Sequence, residues 1–390
     1  MKDNSRQLIL LALFRMTRSI AAGMITIAFP YLVLTYRHYG ALKLGLLYTS
    51  ASVATAFLGL LFGFLTDIWG RGKTLFLVGL LLPVSSGLVF FSSRLPALFA
   101  ACILGGYSAT GSLMTGGIGG AAAPIQNAVI AGLTTSENRT SYFSILTFIS
   151  GMFGALGALL ARHAEVQHVF LYATIISGGG MVFLAFIETG NVRGSLGRLR
   201  SKVVIGKFTL TGILNGFTQG LVVPFLIPFF VIVYHVPKSE MGVYAFISGA
   251  LAALALLAAP RLEQTLGFVK TIAVTRGLGT VLVLLLPFWH VYAIAVAIYL
   301  VVPALRVMAV PVQQTALTEM VRQDEIGRAL GINQVARLSA SSGGIVLTGY
   351  LFEISEIPIP FCIYAAVMAF NIYLYFRFFA PRLQDDPSET

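Results

Sequence analysis

Three arginines stand deep inside long apolar stretches of the chain, where a charged side chain is costly. Arg15 and Arg18 lie about two to three helical turns into the stretch 8–36, and Arg306 lies near the middle of the stretch 291–317. An arginine at mid-membrane depth costs on the order of 3 kcal/mol on insertion scales. A spacing of three places Arg15 and Arg18 on one helix face. We therefore expect the three side chains to face a water-filled cavity or a partner rather than lipid.

The acidic residues offer these arginines no counter-ion, since none of the 15 Asp and Glu residues falls at mid-span depth. Guanidinium groups that lack a carboxylate in a hydrated cavity favour an anion, because they combine a permanent charge with several donors. The expected ligand is an organic or phosphorylated anion, or the anionic part of an amphiphile. The alternative is that Arg15 and Arg18 snorkel to the headgroups. Two shallower arginines, Arg276 and Arg337, are expected to reach the inner interface.

The stretch 203–234 carries two amides, Asn215 and Gln219, followed by Pro224 and Pro228. The prolines remove backbone donors and should bend or break the helix. The amides are candidates for substrate binding where the helix opens. Equally, they are candidates for hydrogen bonds between helices.

Other kinds of chemistry find no support in the sequence. No Ser–His–acid arrangement can be argued, and no metal-ligand spacing is present, so we expect no enzymatic activity, no metal and no cofactor. Gly72-Lys73-Thr74 resembles part of a phosphate-binding loop, but the position that needs the first glycine holds Asp67. ATP binding at this triplet is therefore rejected.

Composition indicates a polytopic membrane protein. The chain has 390 residues, of which 57% are hydrophobic and 11% charged, whereas soluble proteins carry about a quarter charged residues. Several apolar stretches of twenty or so residues exceed what one soluble core can bury. About twelve membrane helices are predicted, at 8–36, 44–65, 74–91, 96–133, 141–161, 169–187, 203–234, 241–260, 271–288, 291–317, 329–352 and 359–379.

Basic residues predict the orientation of these spans. With a cytoplasmic N-terminus, most loop Lys and Arg lie inside, and the outer side holds only Arg37, Lys43, Arg94, Arg162 and Lys238. This asymmetry predicts that both termini are cytoplasmic, and we expect the protein to reside in the plasma membrane. It also explains the net charge of +11 without nucleic acid, for which no binding motif is visible.

The two halves of the chain look like repeats. Pro124-Ile-Gln-Asn in the fourth span echoes Pro311-Val-Gln-Gln in the tenth. Glu263, Gly267 and Lys270 faintly copy Asp67, Gly70 and Lys73 of the first half. The predicted organisation is a six-helix bundle at 1–187, a basic cytoplasmic linker at 188–202 and a second six-helix bundle at 203–390.

The segment 63–73, GFLTDIWGRGK, lies between the second and third spans. It resembles the Gly-x-x-x-Asp-x-x-Gly-Arg-x-Lys signature of the Major Facilitator Superfamily, with matches at Gly63, Asp67, Gly70, Arg71 and Lys73. A tight turn explains the glycines. Asp67 ends a helix whose dipole disfavours an anion, so it needs a partner.

The resemblance implies that Asp67 docks on a neighbouring helix end and latches the cytoplasmic side. Asp67, Arg71 and Arg139 are then expected at an inner gate. The alternative is a solvated turn that merely obeys the positive-inside rule.

The resemblance extends over the chain and implies an all-α transporter with two pseudo-symmetric six-helix bundles. It also implies that spans one, four, seven and ten line a central cavity. The expected partners are a small-molecule substrate, the lipid bilayer and a coupling ion such as H⁺, for a symporter or antiporter that works as a monomer. Two alternatives stay open. A proton-coupled exporter of apolar cations needs a membrane-embedded carboxylate, which is not found, and a non-transporting sensor or scaffold is disfavoured by the short tails.

Overall fold

The protein is described by a computed structural model that covers residues 2–107, 122, 125–126, 129–130, 133–134, 136–187, 200–289, 291–322 and 325–379. All regular secondary structure in these ranges is helical. Ten of the helical segments are long and apolar enough to cross a membrane. The fold is therefore that of an all-α membrane protein.

The helices are numbered by the membrane span to which they belong. The first half contains α1 Lys2–Tyr31, α2 Ala41–Trp69, α3 Arg71–Phe91, α4 Leu95–Gly105, α5 Ser136–Leu160 and α6 Val166–Ala185. The second half contains α7 Lys202–Val222, α8 Lys238–Leu266, α9 Phe268–Leu285, α10 Tyr292–Met320, α11 Ile326–Glu353 and α12 Pro358–Phe379. The linker residues 188–199 lie outside the described ranges.

The seventh span is interrupted, as its prolines predict. After Val222 the chain forms a 3₁₀ turn, Val223–Phe225, and then a short helix, Leu226–Val233. Pro224 lies in that turn and supplies no backbone N–H for a continuous α-helix. The break lies about one turn beyond Gln219, toward the predicted outer face.

Close packing within the second half depends on glycine at the contact between α7 and α11. A Cβ added at Gly216 would lie 2.1 Å from the carbonyl oxygen of Arg337. The two backbones therefore approach closely, which is how membrane helices gain packing contacts. This contact sets the position of Arg337 along the helix axis relative to Asn215 on α7.

The turn between α2 and α3 is shorter than the sequence suggests. The segment 63–73 was expected to be a loop, but α2 continues to Trp69 and α3 begins at Arg71, so only Gly70 lies between them. Gly63 is a helical residue of α2. Gly70 has φ 84° and ψ 158°, and Gly267, between α8 and α9, has φ 76° and ψ 167°. The predicted correspondence between Gly70 and Gly267 is confirmed.

We predict that Gly70→Ala destabilises the protein by about 1–3 kcal/mol, because this backbone region is open almost only to glycine. Gly59→Ala is the matched control, since Gly59 is helical and a Cβ there meets no atom within 4 Å. The control should be neutral or slightly stabilising. Thermal unfolding of both purified variants measures the difference, and equal melting temperatures would contradict the prediction.

A candidate anion-binding site in the bundle interior

Arg15 lies inside the first half, where its guanidinium meets a neutral partner. The side chain is 1% exposed, and its Nε donates a hydrogen bond of 2.8 Å to Oε1 of Gln126. Nη1 and Nη2 are buried and have no partner among the described residues. A buried donor without a partner is costly. The arrangement therefore leaves a buried positive charge and two donors that the described residues do not satisfy.

The other predicted site residues on α1 and α7 are buried as well. Arg18 is 5% exposed and lies one turn above Arg15 on α1. Asn215 is 5% exposed, and Gln219, one turn further along α7, is partly buried. Neither arginine reaches a headgroup layer in the manner of snorkelling, because both side chains are enclosed by protein.

Arg306 lies in the second half, and no contact within the described ranges joins it to Arg15. Its guanidinium sits 5.9 Å from the ring centre of Tyr364 on α12. Arg276 and Arg337 lie close enough for their charges to repel Arg306. Arg276 was expected at the inner interface but is 5% exposed. It is held inside by a 2.7 Å hydrogen bond from Nη2 to Gln313 and by stacking at 5.1 Å on Tyr375.

The two repeats hold their buried arginines with the same motif residue. Gln126 belongs to the Pro-Ile-Gln-Asn segment and accepts from Arg15, whereas Gln313 belongs to the Pro-Val-Gln-Gln segment and accepts from Arg276. An amide accepts a hydrogen bond without neutralising the charge of its donor. Within the described residues, each half therefore holds a guanidinium against a neutral partner.

An apolar cavity lies at the seam between the halves, on the outer side of Arg15. It is lined by α1, α5, α8 and α10, including Gly23, Thr26, Gly154, Ser248, Tyr299 and Pro303. The hydroxyls of Thr26 and Ser248 are engaged with backbone carbonyls, so they contribute little polarity. The lining by α1, by α10 and by Ile227 of the seventh span agrees with the implied cavity, and that by α5 and α8 adds to it. The cavity suits the uncharged portion of a ligand.

The halves meet tightly at the predicted outer face. A Cβ added at Gly349 of α11 would lie 3.1 Å from Cα of Gly45 on α2. The Tyr31 hydroxyl donates at 2.6 Å to the carbonyl of Val236, and Lys238 donates at 2.6 Å to the carbonyl of Ala164. These contacts join residues from both halves and close this end of the bundle.

Among the described residues, the opposite end is open. Gly63 lies 18 residues from Gly45 on α2, and Gly331 lies 18 residues from Gly349 on α11. Eighteen residues make five helical turns, so each pair lies on one face of its helix. A Cβ added at either Gly63 or Gly331 meets no atom within 4 Å. The facing surfaces of α2 and α11 therefore separate toward the predicted cytoplasmic side.

The predicted gate residues lie at this open end. Arg71 and Lys73 occupy the first turn of α3. The side chains of Asp67 and Arg139 lie outside the described residues, although both positions are helical. The latch between Asp67 and a neighbouring helix stays a prediction.

A carboxylate at the same face has a defined partner. The backbone N–H groups of Arg200 and Ser201 donate to Oε1 and Oε2 of Glu325, the second at 2.9 Å. These bonds, first that from Arg200, lower the pKa of Glu325 from its ordinary 4.5 to about 2. Glu325 therefore ties the start of α11 to the start of α7.

We predict that Glu325→Gln lowers the melting temperature near neutral pH. A depressed folded-state pKa means that the stabilisation is present above about pH 4.5 and is lost as the pH falls toward 2. The difference between wild type and variant should therefore shrink on acidification. Glu319→Gln, an exposed carboxylate on α10 near the same face, is the control. A difference that grows at low pH would contradict the prediction.

Sequence reasoning missed three residues of this site, Gln126, Gln313 and Arg276. Both glutamines lie in the repeated Pro-x-Gln segments, so the repeat itself was the available signal. Arg276 lies at the middle of the 18-residue helix α9, which the predicted span 271–288 placed too near one end.

Comparison with known proteins agrees with this architecture. The structure resembles a bacterial homologue of the human lysosomal transporter Spinster in an inward-facing, occupied conformation, with TM-score 0.77, 13% identity and coverage of 100% of both chains. It resembles the xylose transporter XylE from E. coli, partially occluded and inward open, with TM-score 0.75, 14% identity and coverage of 97% and 98%. It also resembles the human organic anion transporter MFSD10 (TETRAN), with TM-score 0.73, 14% identity and coverage of 95% and 99%.

In sequence, none of the curated proteins matches the chain. The family model of the Major Facilitator Superfamily matches residues 11–345, well over half of the chain. The solved relatives are transporters with the same fold. The two six-helix bundles, the glycine turns at Gly70 and Gly267 and the family match lead to one conclusion: the chain belongs to the Major Facilitator Superfamily.

Proposed function

We propose that this protein is a secondary transporter of a small organic anion, or of the anionic end of an amphiphile. The observation that carries the proposal is Arg15, whose buried guanidinium faces an amide and keeps two donors that no described residue accepts. Guanidinium groups remain protonated at physiological pH, so the site is permanently cationic. Arg18, Arg306, Asn215 and Gln219 complete the proposed binding residues.

Alternating access supplies the proposed route. The halves touch through Gly45 and Gly349 at one end and separate at Gly63 and Gly331 at the other. Rocking about the central site would exchange the closed and open ends. We place the open end in the cytoplasm with both termini, in a plasma membrane, because the basic residues concentrate there.

The inner gate is proposed at the turn between α2 and α3. Arg71 and Lys73 lie at the N-terminus of α3, where the helix dipole disfavours cations. They therefore gain from an acidic partner when that end closes. Asp67, Gly63, Gly70 and Arg139 complete the proposed gate, with Gly70 as its single non-helical residue.

The test is ligand-induced stabilisation followed by transport. Purified protein is heated with a panel of carboxylates, sulfonates and phosphate esters, and with a matched panel of quaternary ammonium cations. We expect anions to raise the melting temperature, and the best of them to enter proteoliposomes. Arg18→Gln and Arg306→Gln should each weaken that anion by about tenfold or more, as expected for a charge-assisted hydrogen bond. Stabilisation by cations alone would favour the cation exporter and overturn the proposal.

A further inference from the structure

The interior of the second half contains a set of buried polar atoms with no partners. Nη1 of Arg276, Nη1 of Arg306, Oη of Tyr375 and both amide atoms of Asn371 are buried and bond to none of the described residues. Buried polar groups in native proteins are nearly always hydrogen-bonded. These five atoms therefore need a partner that the described residues do not supply.

These atoms belong to neighbouring side chains. Tyr364, Asn371 and Tyr375 are spaced by seven and four residues, so they share one face of α12. Arg306 lies over Tyr364, and Arg276 lies over Tyr375, at the two ends of this face. Asn371, which is 0% exposed, lies between them. The donors thus come from α9, α10 and α12 and lie along about three turns of one face of α12.

The charge of this region is strongly positive. Arg276, Arg306 and Arg337 lie within electrostatic range of one another, and among the described residues Arg276 donates to the neutral amide of Gln313. Repulsion among buried guanidinium groups is relieved by an anion with more than one negative charge. Arg306 and Arg337 are partly exposed, whereas Arg276 and Asn371 are buried, so entry is from the Arg306 side.

We propose that the second half binds a tetrahedral oxyanion, a phosphate or phosphoryl group, between Arg276, Arg306 and the Asn371–Tyr375 face of α12. A tetrahedral group presents acceptor oxygens in several directions, which matches donors that arrive from three helices. A planar carboxylate offers only two oxygens in one plane. This inference rests on the proposed function, because Arg306 belongs to both proposed sites. The ligand is then either a doubly charged phosphoryl end of the transported solute or a free phosphate that is moved in exchange for it.

The experiment titrates inorganic phosphate, methyl phosphate and acetate into the purified full-length protein by calorimetry. A detergent with a sugar headgroup avoids competing lipid phosphate. We expect both phosphates to bind more tightly than acetate. Tighter binding of inorganic phosphate identifies the free ion as the ligand, and tighter binding of methyl phosphate identifies a phosphoryl group on a larger solute.

Variants then locate the site. Arg276→Gln should weaken phosphate binding by roughly tenfold to a hundredfold, the range of a hydrogen bond to a charged group. Tyr375→Phe retains the ring under Arg276 and removes only the hydroxyl, so it should fold and lose about fivefold in affinity. Arg377→Gln removes an exposed charge from the same helix and should leave phosphate binding unchanged.

Two results would overturn the proposal. Acetate and phosphate of equal affinity would remove the case for a tetrahedral ligand. An Asn371→Leu protein that is more heat-stable than wild type and binds phosphate equally well would show that water or packing satisfies these atoms. If Arg15→Gln still abolishes anion transport in that case, the transport proposal stands and this one falls. If no anion binds at all, both fall.

Discussion

Uptake of the anion that best stabilises the protein is expected to fall by about a hundredfold or more in Arg15→Gln. The two Nη groups of Arg15 are buried, and none of the residues that the structure describes accepts a hydrogen bond from them. A hydrogen bond to a charged group contributes about 1.5–3 kcal/mol, and 1.4 kcal/mol is a tenfold change in affinity. Loss of both donors therefore removes most of the binding free energy at this end of the site. Arg15→Lys retains the charge but not the planar fork, so its uptake should be intermediate.

Two further variants separate a binding role from a structural one. Gln126→Glu places a carboxylate against Nε of Arg15, which neutralises the site while the contact is kept. We expect this protein to be as stable as wild type and to transport as poorly as Arg15→Gln. Arg6→Gln removes an exposed charge from the same helix and should have no effect on uptake. Normal transport by a folded Gln126→Glu protein would exclude Arg15 from the binding site.

Gly349→Leu and Gly331→Leu are expected to shift the conformational equilibrium in opposite directions. At Gly349 a side chain would collide with the backbone of α2, because a Cβ there lies 3.1 Å from Cα of Gly45. The predicted outer end should therefore be forced open. At Gly331 a side chain meets nothing in the present state. The leucine side chain at position 331 should instead block closure of the cytoplasmic end. If alternation requires both contacts, the transport rate of each variant should fall at least about tenfold.

The measurement uses a single reporter cysteine. Only Cys102 and Cys362 need to be removed, and Thr26→Cys then places a thiol in the apolar cavity. Impermeant thiol reagent added from the outer side should label the reporter faster in Gly349→Leu and more slowly in Gly331→Leu than in the parent. Shifts in the same direction would contradict the paired-contact interpretation.

Much of this fold was accessible from the sequence, because span length and hydropathy act locally. The positions of Gly70 and Gly267 follow from a repeated pattern that demands a tight turn, and their dihedral angles agree. The length of the turn was misjudged, since an apolar pattern does not show that α2 continues past Asp67 to Trp69.

The site was less accessible, because it depends on which helices touch. The bond between Arg15 and Gln126 joins residues 111 positions apart, and no local pattern specifies that pairing. The direction of the Arg276 side chain likewise depends on the position of α12 beside α9. The sequence identified arginines whose charge needs polar surroundings, and the packing of the helices determines which groups surround them.

The glutamine amides that accept hydrogen bonds from the buried arginines affect how the proposed transport cycle depends on membrane voltage. Because arginine stays protonated and glutamine does not titrate, these described pairs do not trade a proton for an anion. An anion carried inward alone would work against a membrane voltage that is negative inside, at about 2.3 kcal/mol per charge for each 100 mV. Outward movement of the anion is favoured by the same free energy. Exchange of two anions of equal charge moves no net charge, so its free energy does not depend on the voltage. Transport assays in proteoliposomes with an imposed membrane voltage would separate inward movement, outward movement and exchange without knowledge of the natural cargo.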